Sequence, residues 1–400
     1  MTESTASRVV IAGGGVAALE TLLALSDLAH DRVAVTLVAP EERFSYRPMS
    51  VAEPFAKGHV RHYELSAIAD EFGARLVRDA VAAVDAKAQT VRTRGGDVLP
   101  YDHLVLAVGA RAAPAFQHAI TFGEDPEEEA LHGLLHDAEE GYADRIAFIV
   151  PDPTAWPLPL YELALMTARQ AWSMGADGIE FMLITPEERP LGIFGGAASD
   201  AVASLLAAAN IEFVGSAYAG VEHGYVTVDP GGRRIDVARV VSLPTLEGRE
   251  IEGVLADPTG FIQVDAHGRV SGLDRVYAAG DGTAFPIKQG GLATQQADAV
   301  AEAIAAAAGA PIEPEPFRPV LRGILLTGGD DRYLRFGVAG GDGEADVATQ
   351  ALWWPPTKIV GRYLAPYLFS QDELEAVDLS REGPVPVEVA LDREAPAAKP

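Results

Sequence analysis

The sequence contains no cysteine among its 400 residues. Without a thiol, every mechanism that needs a thiolate nucleophile, a redox disulfide, a persulfide or a cysteine-ligated metal is excluded. Basic residues are also few, with 31 Lys and Arg against 58 Asp and Glu and a formal net charge of -27. Because no basic cluster offsets this charge, the chain cannot neutralise the phosphates of a nucleic acid, and we expect no nucleic-acid partner.

Long hydrophobic runs are absent as well. The nearest, residues 299–310, includes Glu302 and falls short of the roughly 20 apolar residues that span a bilayer. The first residues are acidic and precede only a short apolar run, which is unlike a secretory signal. We therefore expect a cytoplasmic protein that is at most peripheral to a membrane, since its charge opposes adsorption to an anionic leaflet.

Apolar strand-like runs that lead into helical stretches recur along the chain. Residues 8–29 followed by 32–40 form one such unit, and residues 145–152, a helix near 160–175 and 179–186 form another. This alternation predicts an α/β fold with parallel strands and crossover helices. The length exceeds what one hydrophobic core usually organises, so we expect more than one domain.

Gly13, Gly15 and Ala18 have the G-x-G-x-x-A spacing, between a strand and a helix. In such a turn the first glycine permits the tight bend, the second lets a pyrophosphate approach the backbone, and the small third residue allows close packing of helix on strand. The spacing therefore predicts a dinucleotide site; an ordinary glycine turn of an α/β protein is the alternative.

The acidic residue expected at the end of the second strand, where it would bind the ribose hydroxyls, is replaced by Ala39. Glu41 and Glu42 follow in the loop. We favour Glu42 as the substitute, although an acidic residue in this loop is equally at home as a solvated surface charge.

Two further motifs follow the first glycine turn later in the chain. Gly109 follows an apolar strand, and Gly280 and Asp281 end the YAAGD strand ahead of a helix that begins near residue 290. With the first glycine turn, these motifs resemble the flavoproteins of the pyridine nucleotide-disulfide oxidoreductase superfamily. The resemblance implies noncovalent FAD, with Asp281 binding the ribityl chain.

The same resemblance assigns further contacts to the cofactor. The backbone around Leu292 and Ala293 would face the flavin C2 carbonyl, where the positive end of a helix stabilises the anion of reduced flavin. Arg47, in a loop similar to the family loop that passes the flavin, would contact the pyrophosphate or adenosine.

Within the superfamily, the chain is most similar to sulfide:quinone oxidoreductases and flavocytochrome c sulfide dehydrogenases, and more distantly to type II NADH dehydrogenases. The segments that carry this similarity are 157–165, 184–195 and 280–291. These families pass electrons through a cysteine pair. Here Gly282 occupies one of those positions and only Trp156 lies near the other. A persulfide relay is therefore excluded.

The resemblance implies an α/β architecture of two interleaved Rossmann-like, three-layer domains with a C-terminal α+β capping segment. We expect residues 1–115 and 244–310 to form the FAD-binding domain and 116–243 the second nucleotide-binding-like domain. Residues 311–383 would form the cap, and 384–400 a disordered tail.

Glu162 and Lys288 are the catalytic candidates that the resemblance suggests. Glu162 would relay protons, unless it only compensates charge at a helix N-terminus. Lys288 would favour reduced flavin or bind an acceptor oxygen, unless it is a surface lysine. Aromatic residues of the C-terminal segment would line a quinone pocket, unless they complete the core; they are Trp353, Trp354 and Tyr363.

The sequence also bears on two further ligands, NAD(P)H and a metal ion. NAD(P)H binding to the second unit is left open, because residues 148–164 contain four prolines and no glycine for a pyrophosphate. His132 and His136 are spaced i, i+4, but no third ligand is positioned by spacing, so we predict no metal.

These observations predict an FAD-dependent oxidoreductase that passes electrons through flavin N5 to a quinone or another small acceptor without cysteine chemistry. Two alternatives stay open, an NAD(P)H:acceptor reductase with a degenerate second site and a non-catalytic flavin-binding, redox-sensing or interaction module. The expected partners are a small-molecule electron donor and acceptor, and a homodimer is compatible with the sequence.

Overall fold

A computed structural model of the protein describes residues 6–123, 131, 133–134, 136–137, 140, 142–153, 155–338 and 345–381, with side chains to residue 373. Its first sheet is parallel, with the strand order β20-β9-β1-β2-β5. The strands, numbered along the chain, are β1 (Ser7–Ala12), β2 (Val33–Val38), β5 (Arg75–Val77), β9 (His103–Leu106) and β20 (Val276–Ala278).

The second sheet is also parallel, with the order β11-β18-β12-β13-β14. It consists of β11 (Ile120–Thr121), β12 (Arg145–Ile149), β13 (Glu180–Ile184), β14 (Ile211–Val214) and β18 (Arg239–Ser242). The chain crosses between the sheets through the antiparallel pair β10 (Ala110–Ala113) and β19 (Thr245–Gly248). Because β20 returns to the first sheet after the second is complete, the two domains are interleaved as predicted. The residue boundaries of the domains remain predictions.

Helices cover one face of each sheet. They are α1 (Val16–Ala29), α2 (Leu65–Glu71), α3 (Leu158–Ser173), α4 (Gly196–Ala208), α5 (Gly290–Ala307) and α6 (Leu364–Arg381). In the first domain α1 and α5 share a core rich in alanine, whose small side chains let the two helices approach closely. In the second domain α3 and α4 pack on the sheet through leucine, phenylalanine and isoleucine side chains.

Antiparallel ribbons cover the opposite faces. The ribbon of the first domain is β6 (Val81–Asp85), β7 (Thr90–Thr93) and β8 (Val98–Pro100). That of the second is β15 (Tyr218–Glu222), β16 (Tyr225–Asp229) and β17 (Arg233–Asp236). Each domain therefore has three layers, which confirms the predicted fold class.

Smaller elements close the structure around the two domains. A hairpin of β3 (Arg43–Tyr46) and β4 (Arg61–Glu64) flanks the 3-10 segment Arg47–Phe55. The C-terminal segment adds an antiparallel sheet of β21 (Val320–Leu325), β22 (Arg332–Gly337) and β23 (Asp346–Ala348), followed by α6. This sheet packs on the second-domain core and α6 packs on the first, so the segment is the predicted α+β cap. The tail 384–400 lies outside the described residues.

A buried carboxyl pair joins α1, α5 and the start of α6. Glu20 of α1 is fully buried and accepts hydrogen bonds from the amides of Tyr363 (2.9 Å) and Leu364 (2.7 Å). Asp298 of α5 lies beside Glu20, and burial together with the Glu20 charge raises the pKa of Asp298 to about 8. Arg362 opposes this shift and Glu302 reinforces it. One proton is therefore held between two carboxyl groups under the cap.

We expect Asp298→Asn to stabilise the protein increasingly as pH rises from 5 to 8. The folded-state pKa of Asp298 lies above its unfolded value of about 3.9, so the native state holds the extra proton across this interval and the wild type loses stability as pH rises. Melting temperatures at pH 5, 6.5 and 8 measure the effect. The control is Asp274→Asn, at an exposed carboxylate. A difference between Asp298→Asn and wild type that does not change with pH would contradict the assignment.

Candidate functional site

Three strands of the first sheet end side by side. Ala12, Leu106 and Ala278 are neighbours in the parallel register, and each strand continues into a glycine with positive φ. These glycines are Gly13, Gly109 and Gly280, and all three line a cleft of about 700 Å³. The carboxyl edge of a parallel sheet is where open α/β folds bind ligands.

The first glycine turn fits a phosphate site. Gly13 has φ +128°, and a Cβ there would lie 2.1 Å from the Ala107 carbonyl oxygen, so only glycine is accommodated. A Cβ at Gly15 would meet nothing within 4 Å, and Gly15 begins α1 without a side-chain cap. The first amides of α1 are thus open to an anion in the cleft. Ala18 is fully buried, in keeping with its predicted packing role.

The loop after β2 corrects the choice of ribose ligand. Glu41 lines the cleft, whereas Glu42 does not; its carboxylate is exposed and lies 3.7 Å from the Arg78 guanidinium. The predicted use of Glu42 is therefore not supported, because its side chain points toward the surface. Arg47, which is predicted to contact the pyrophosphate or adenosine, lines the cleft at the start of the 3-10 segment.

Asp281 follows β20 and is a half-buried acidic residue in the lining of the cleft. Burial raises the pKa of Asp281, and the charge of Lys288 opposes this rise. Among the described residues the Asp281 carboxylate has no hydrogen-bond partner. Even partial desolvation of a carboxylate costs free energy unless a donor satisfies it. A ligand hydroxyl would supply that donor, so the residue fits the predicted ribityl contact of FAD.

The start of α5 corrects the predicted backbone donors. Gln289 caps the helix, and its side chain accepts a hydrogen bond from the Leu292 amide at 2.9 Å. The Ala293 amide donates to the Gln289 carbonyl at 3.0 Å. Gly290 and Ala293 line the cleft, whereas Leu292 is buried behind it. Because the Leu292 and Ala293 amides are already paired, the donors available at this helix end are those of the first turn, at Gly290 and Gly291.

Lys288 does not line the cleft, and its predicted catalytic contact is not supported. It is buried, donates to the Thr283 carbonyl, and its Nζ lies 3.7 Å above the centroid of the Phe261 ring. Burial lowers the pKa of Lys288 to about 8, while the charges of Asp281 and Asp257 oppose the shift. Lys288 therefore acts on the site through its charge, behind Asp281.

Glu162 forms a buried ion pair that sequence reasoning missed. Its carboxylate lies 2.7 Å from Lys358 Nζ, which also donates to the Pro48 carbonyl at 3.1 Å. The other carboxylate oxygen accepts from the Leu326 amide at 2.8 Å. Burial raises the pKa of Glu162 to about 7 although Lys358 opposes the shift.

This pair connects three segments around the cleft. Glu162 lies in the second turn of α3, so it does not compensate charge in the first turn as the alternative expectation had it. It does not line the cleft either, whereas Pro48 and Ile359, next to Lys358, do. Glu162 is therefore a positioning residue. The lone lysine of the segment 352–369 was the available signal for its partner.

The aromatic residues predicted to form a quinone pocket do not line this cleft. Trp353 donates from Nε1 to the Thr357 carbonyl at 3.0 Å, and Trp354 is 76% exposed with its ring against Phe369. Tyr363 packs on the first-domain core. The cap contacts the cleft instead through Ile359. The aromatic density of this segment reflects packing of the cap and one exposed indole.

A second cavity of about 380 Å³ lies at the carboxyl ends of β12 and β13, the nucleotide position of the second domain. Its lining includes four prolines, and carboxylates from Asp152, Glu187 and Glu188. Glu187 accepts from the Tyr161 hydroxyl at 2.8 Å, and burial raises the pKa of Glu187 to about 7. Arg189 pairs with Asp200. This lining is unfavourable to a pyrophosphate.

The fold and the cleft define a class of protein, a flavin-dependent oxidoreductase of two Rossmann-like domains. The family model described as pyridine nucleotide-disulphide oxidoreductase matches residues 7–140 and 163–307. The chain therefore belongs to this family, and its membership confirms the predicted enzyme class and the predicted cofactor, FAD.

Individual relatives agree with the predicted similarity. A sulfide-quinone reductase of Aquifex aeolicus is 26% identical over 277 residues, or 63% of this chain and 61% of the relative, so the match spans less than two thirds of that protein. An NADH dehydrogenase-like protein of Mycobacterium tuberculosis is 27% identical over 69% of this chain and 72% of its own length.

Solved structures support the fold. The crystal structure of the sulfide:quinone oxidoreductase from Aquifex aeolicus matches with a TM-score of 0.77 at 20% identity, covering 96% of this chain and 93% of the other. The described residues include no helix long and apolar enough to cross a membrane. They also include no group of three or more His, Asp or Glu residues that could hold a metal ion. His132 lies outside them.

We expect Asp281→Asn to weaken FAD binding by about tenfold to a hundredfold, the loss typical of a hydrogen bond to a charged group. The same change should raise the melting temperature of the FAD-free protein, because it removes a partly desolvated carboxylate that has no partner among the described residues. Fluorescence titration of apo-protein with FAD and thermal melts of apo-protein measure the two effects. The control is Asp257→Asn, whose carboxylate bonds within its own turn. Unchanged FAD affinity would contradict the assignment.

We expect Lys358→Met to lower the free energy of unfolding by about 3–5 kcal/mol, because it leaves the Glu162 carboxylate buried without its cation. The double variant Glu162→Gln with Lys358→Met should recover much of this loss, since no buried charge then remains. Urea unfolding of wild type, both single variants and the double variant gives the coupling free energy. Additive effects would show that the pair does not connect the cap to α3.

Proposed function

We propose that this protein oxidises a small electron donor and passes the electrons, by way of FAD, to a quinone or another small acceptor without thiol chemistry. The observation that carries the proposal is the half-buried Asp281 carboxylate, which has no hydrogen-bond partner among the described residues and lines a cleft that also holds the Gly13–Gly15 turn. The absence of cysteine separates this reaction from a persulfide relay. The name of the Aquifex relative, a sulfide-quinone reductase, supports a quinone as the acceptor.

FAD, when bound, supplies the two-electron exchange between donor and acceptor. The residues of the chain supply its environment. The first amides of α1, after Gly15, would bind the pyrophosphate, and Asp281 would accept a hydrogen bond from a ribityl hydroxyl. The amides of Gly290 and Gly291, at the positive end of α5, would stabilise negative charge that develops on the flavin ring.

The Glu162–Lys358 pair contributes by position. It connects α3 to the cap and to Pro48, and so fixes the wall of the cleft on which Ile359 lies. With a pKa of about 7, Glu162 can hold or release a proton at neutral pH. Because Glu162 does not line the cleft, a proton bound to its carboxylate would weaken the ion pair with Lys358 and would not reach the reacting atoms.

The cap also offers a route to a membrane-borne acceptor. Trp354 is 76% exposed beside Phe369, and an indole of this kind is suited to the interface between a bilayer and water. We propose that any membrane contact is peripheral and made through this part of the cap.

A second candidate function is NAD(P)H:acceptor reduction. The cavity at the carboxyl ends of β12 and β13 favours it by position, as does the relative named as NADH dehydrogenase-like. The carboxylates of that cavity argue against a dinucleotide. We therefore rank this candidate below the first.

The acceptor is tested with protein reduced anaerobically by one equivalent of dithionite. We expect a short-chain quinone to restore the visible flavin spectrum within seconds, and we expect neither NADH nor sulfide to reduce the oxidised protein at a comparable rate. Stopped-flow absorbance follows both reactions. Rapid reduction by NADH would select the second candidate. A reduced protein that no quinone reoxidises would contradict the proposed acceptor and favour a binding or sensing role.

A further inference from the structure

The flavin cleft and the second cavity share one wall. Ala155 and Trp156 line both of them. The next prolines line one space each: Pro157 borders only the second cavity, and Pro159 borders only the cleft. Residues 155–159 therefore form a partition between the two spaces, and Trp156 is the largest side chain in it.

The Trp156 ring is held in place. It packs edge-on against Phe194, with ring centroids 5.7 Å apart and an interplanar angle of 64°. Phe194 is itself fully buried in the core of the second domain. Pro157, which directly follows Trp156 and precedes α3, restricts the backbone at this point. The indole is thus a fixed part of the wall rather than a freely rotating side chain.

The second cavity combines apolar and acidic lining. Ile193, Ile287 and the prolines provide apolar contacts, and Asp152, Glu187 and Glu188 provide carboxylates. Arg189 also lines the cavity, but its guanidinium pairs with Asp200. This lining suits a neutral, flat, phosphate-free heterocycle and repels a dinucleotide. A molecule of that class would lie one side chain away from the cleft.

We infer that Trp156 is a specificity-determining residue that closes the passage between the second cavity and the flavin cleft, and so excludes neutral heterocyclic hydride donors in that cavity from the flavin. The inference deepens the proposed function and rests on FAD occupying the cleft. Trp156 also stands near a position where the resemblance places a family cysteine, and its bulky indole cannot take part in thiol chemistry.

The test compares wild type, Trp156→Ala and Trp156→Phe, each loaded with FAD. Trp172→Ala is the matched control, because Trp172 lies on α3 and lines neither space.

The first measurement needs no turnover: acrylamide quenching of the bound flavin reports how open the passage is. The second is anaerobic reduction by 1-benzyl-1,4-dihydronicotinamide, compared with NADH. In this reaction the donor C4–H bond breaks, its hydride carries two electrons to oxidised FAD, and a benzylnicotinamide cation is released.

We expect Trp156→Ala to raise the acrylamide quenching constant severalfold and to speed reduction by the benzyl donor by about tenfold or more, as expected when a blocked donor gains the reacting distance. NADH should gain less because of the carboxylates. Trp156→Phe should have a smaller effect, and Trp172→Ala should match wild type. An FAD-loaded Trp156→Ala variant that changes neither readout overturns the inference.

Failure of the proposed function would give a result that differs from failure of the inference about Trp156. A wild-type protein that binds no FAD would remove the cleft assignment itself, before any variant is compared. If Trp156→Ala does not retain FAD, Trp156→Leu replaces it, since leucine keeps apolar contact with Phe194 but removes the ring. Acrylamide quenching and reduction by the benzyl donor are then measured on Trp156→Leu, and wild-type values in both overturn the inference.

Discussion

The parallel alignment of β1, β9 and β20 is the constraint on which the site depends. Because the last residues of these strands are neighbours in register, the turns that follow them meet at one edge of the sheet. One turn presents the open start of α1, another Gly109, and the third Asp281 and the approach to α5. Residues separated by about 270 positions in the chain are thus brought to one cleft by backbone hydrogen bonding alone.

This explains which parts of the site the sequence could predict. Gly13, Gly109 and Asp281 are fixed by backbone position at the end of a strand, and strand and turn patterns reveal such positions. The direction of a side chain in a loop has no comparable signal. Glu41 and Glu42 are adjacent and chemically equal, and only the path of the loop turns one toward the cleft and the other toward Arg78.

The sequence also did not reveal which side chains from distant segments pair with one another. Glu162 and Lys358 are distant in sequence, and although Lys358 is the lone lysine of residues 352–369, no sequence pattern pairs it with Glu162. Lys288 lies between two predicted site elements, but the chain turns its ammonium inward, onto Phe261 and the Thr283 carbonyl. The Gln289 cap shows a subtler limit, because a helix N-terminus predicts donors without saying which of them its own capping residue already uses.

Together these features describe a flavin-binding fold without cysteine, in which three desolvated carboxylates have different surroundings. One half-buried carboxylate, Asp281, lines the cleft, and the charge of Lys288 lies near it. A second, Glu162, is neutralised by Lys358 where the cap meets α3, and a third, Glu20, ties the start of α6 to α1. Gly282 and Trp156 lie at or near the positions where the family resemblance places cysteines, and Trp156 lines both the cleft and the second cavity.

The most direct test of this account is the FAD content of the purified protein. Visible absorbance before and after denaturation gives the ratio of flavin to chain. The account predicts a yellow protein with one FAD per chain, released on denaturation because it is held noncovalently, and rebound by the refolded or flavin-stripped chain. A colourless protein that takes up no FAD when the cofactor is supplied would contradict it.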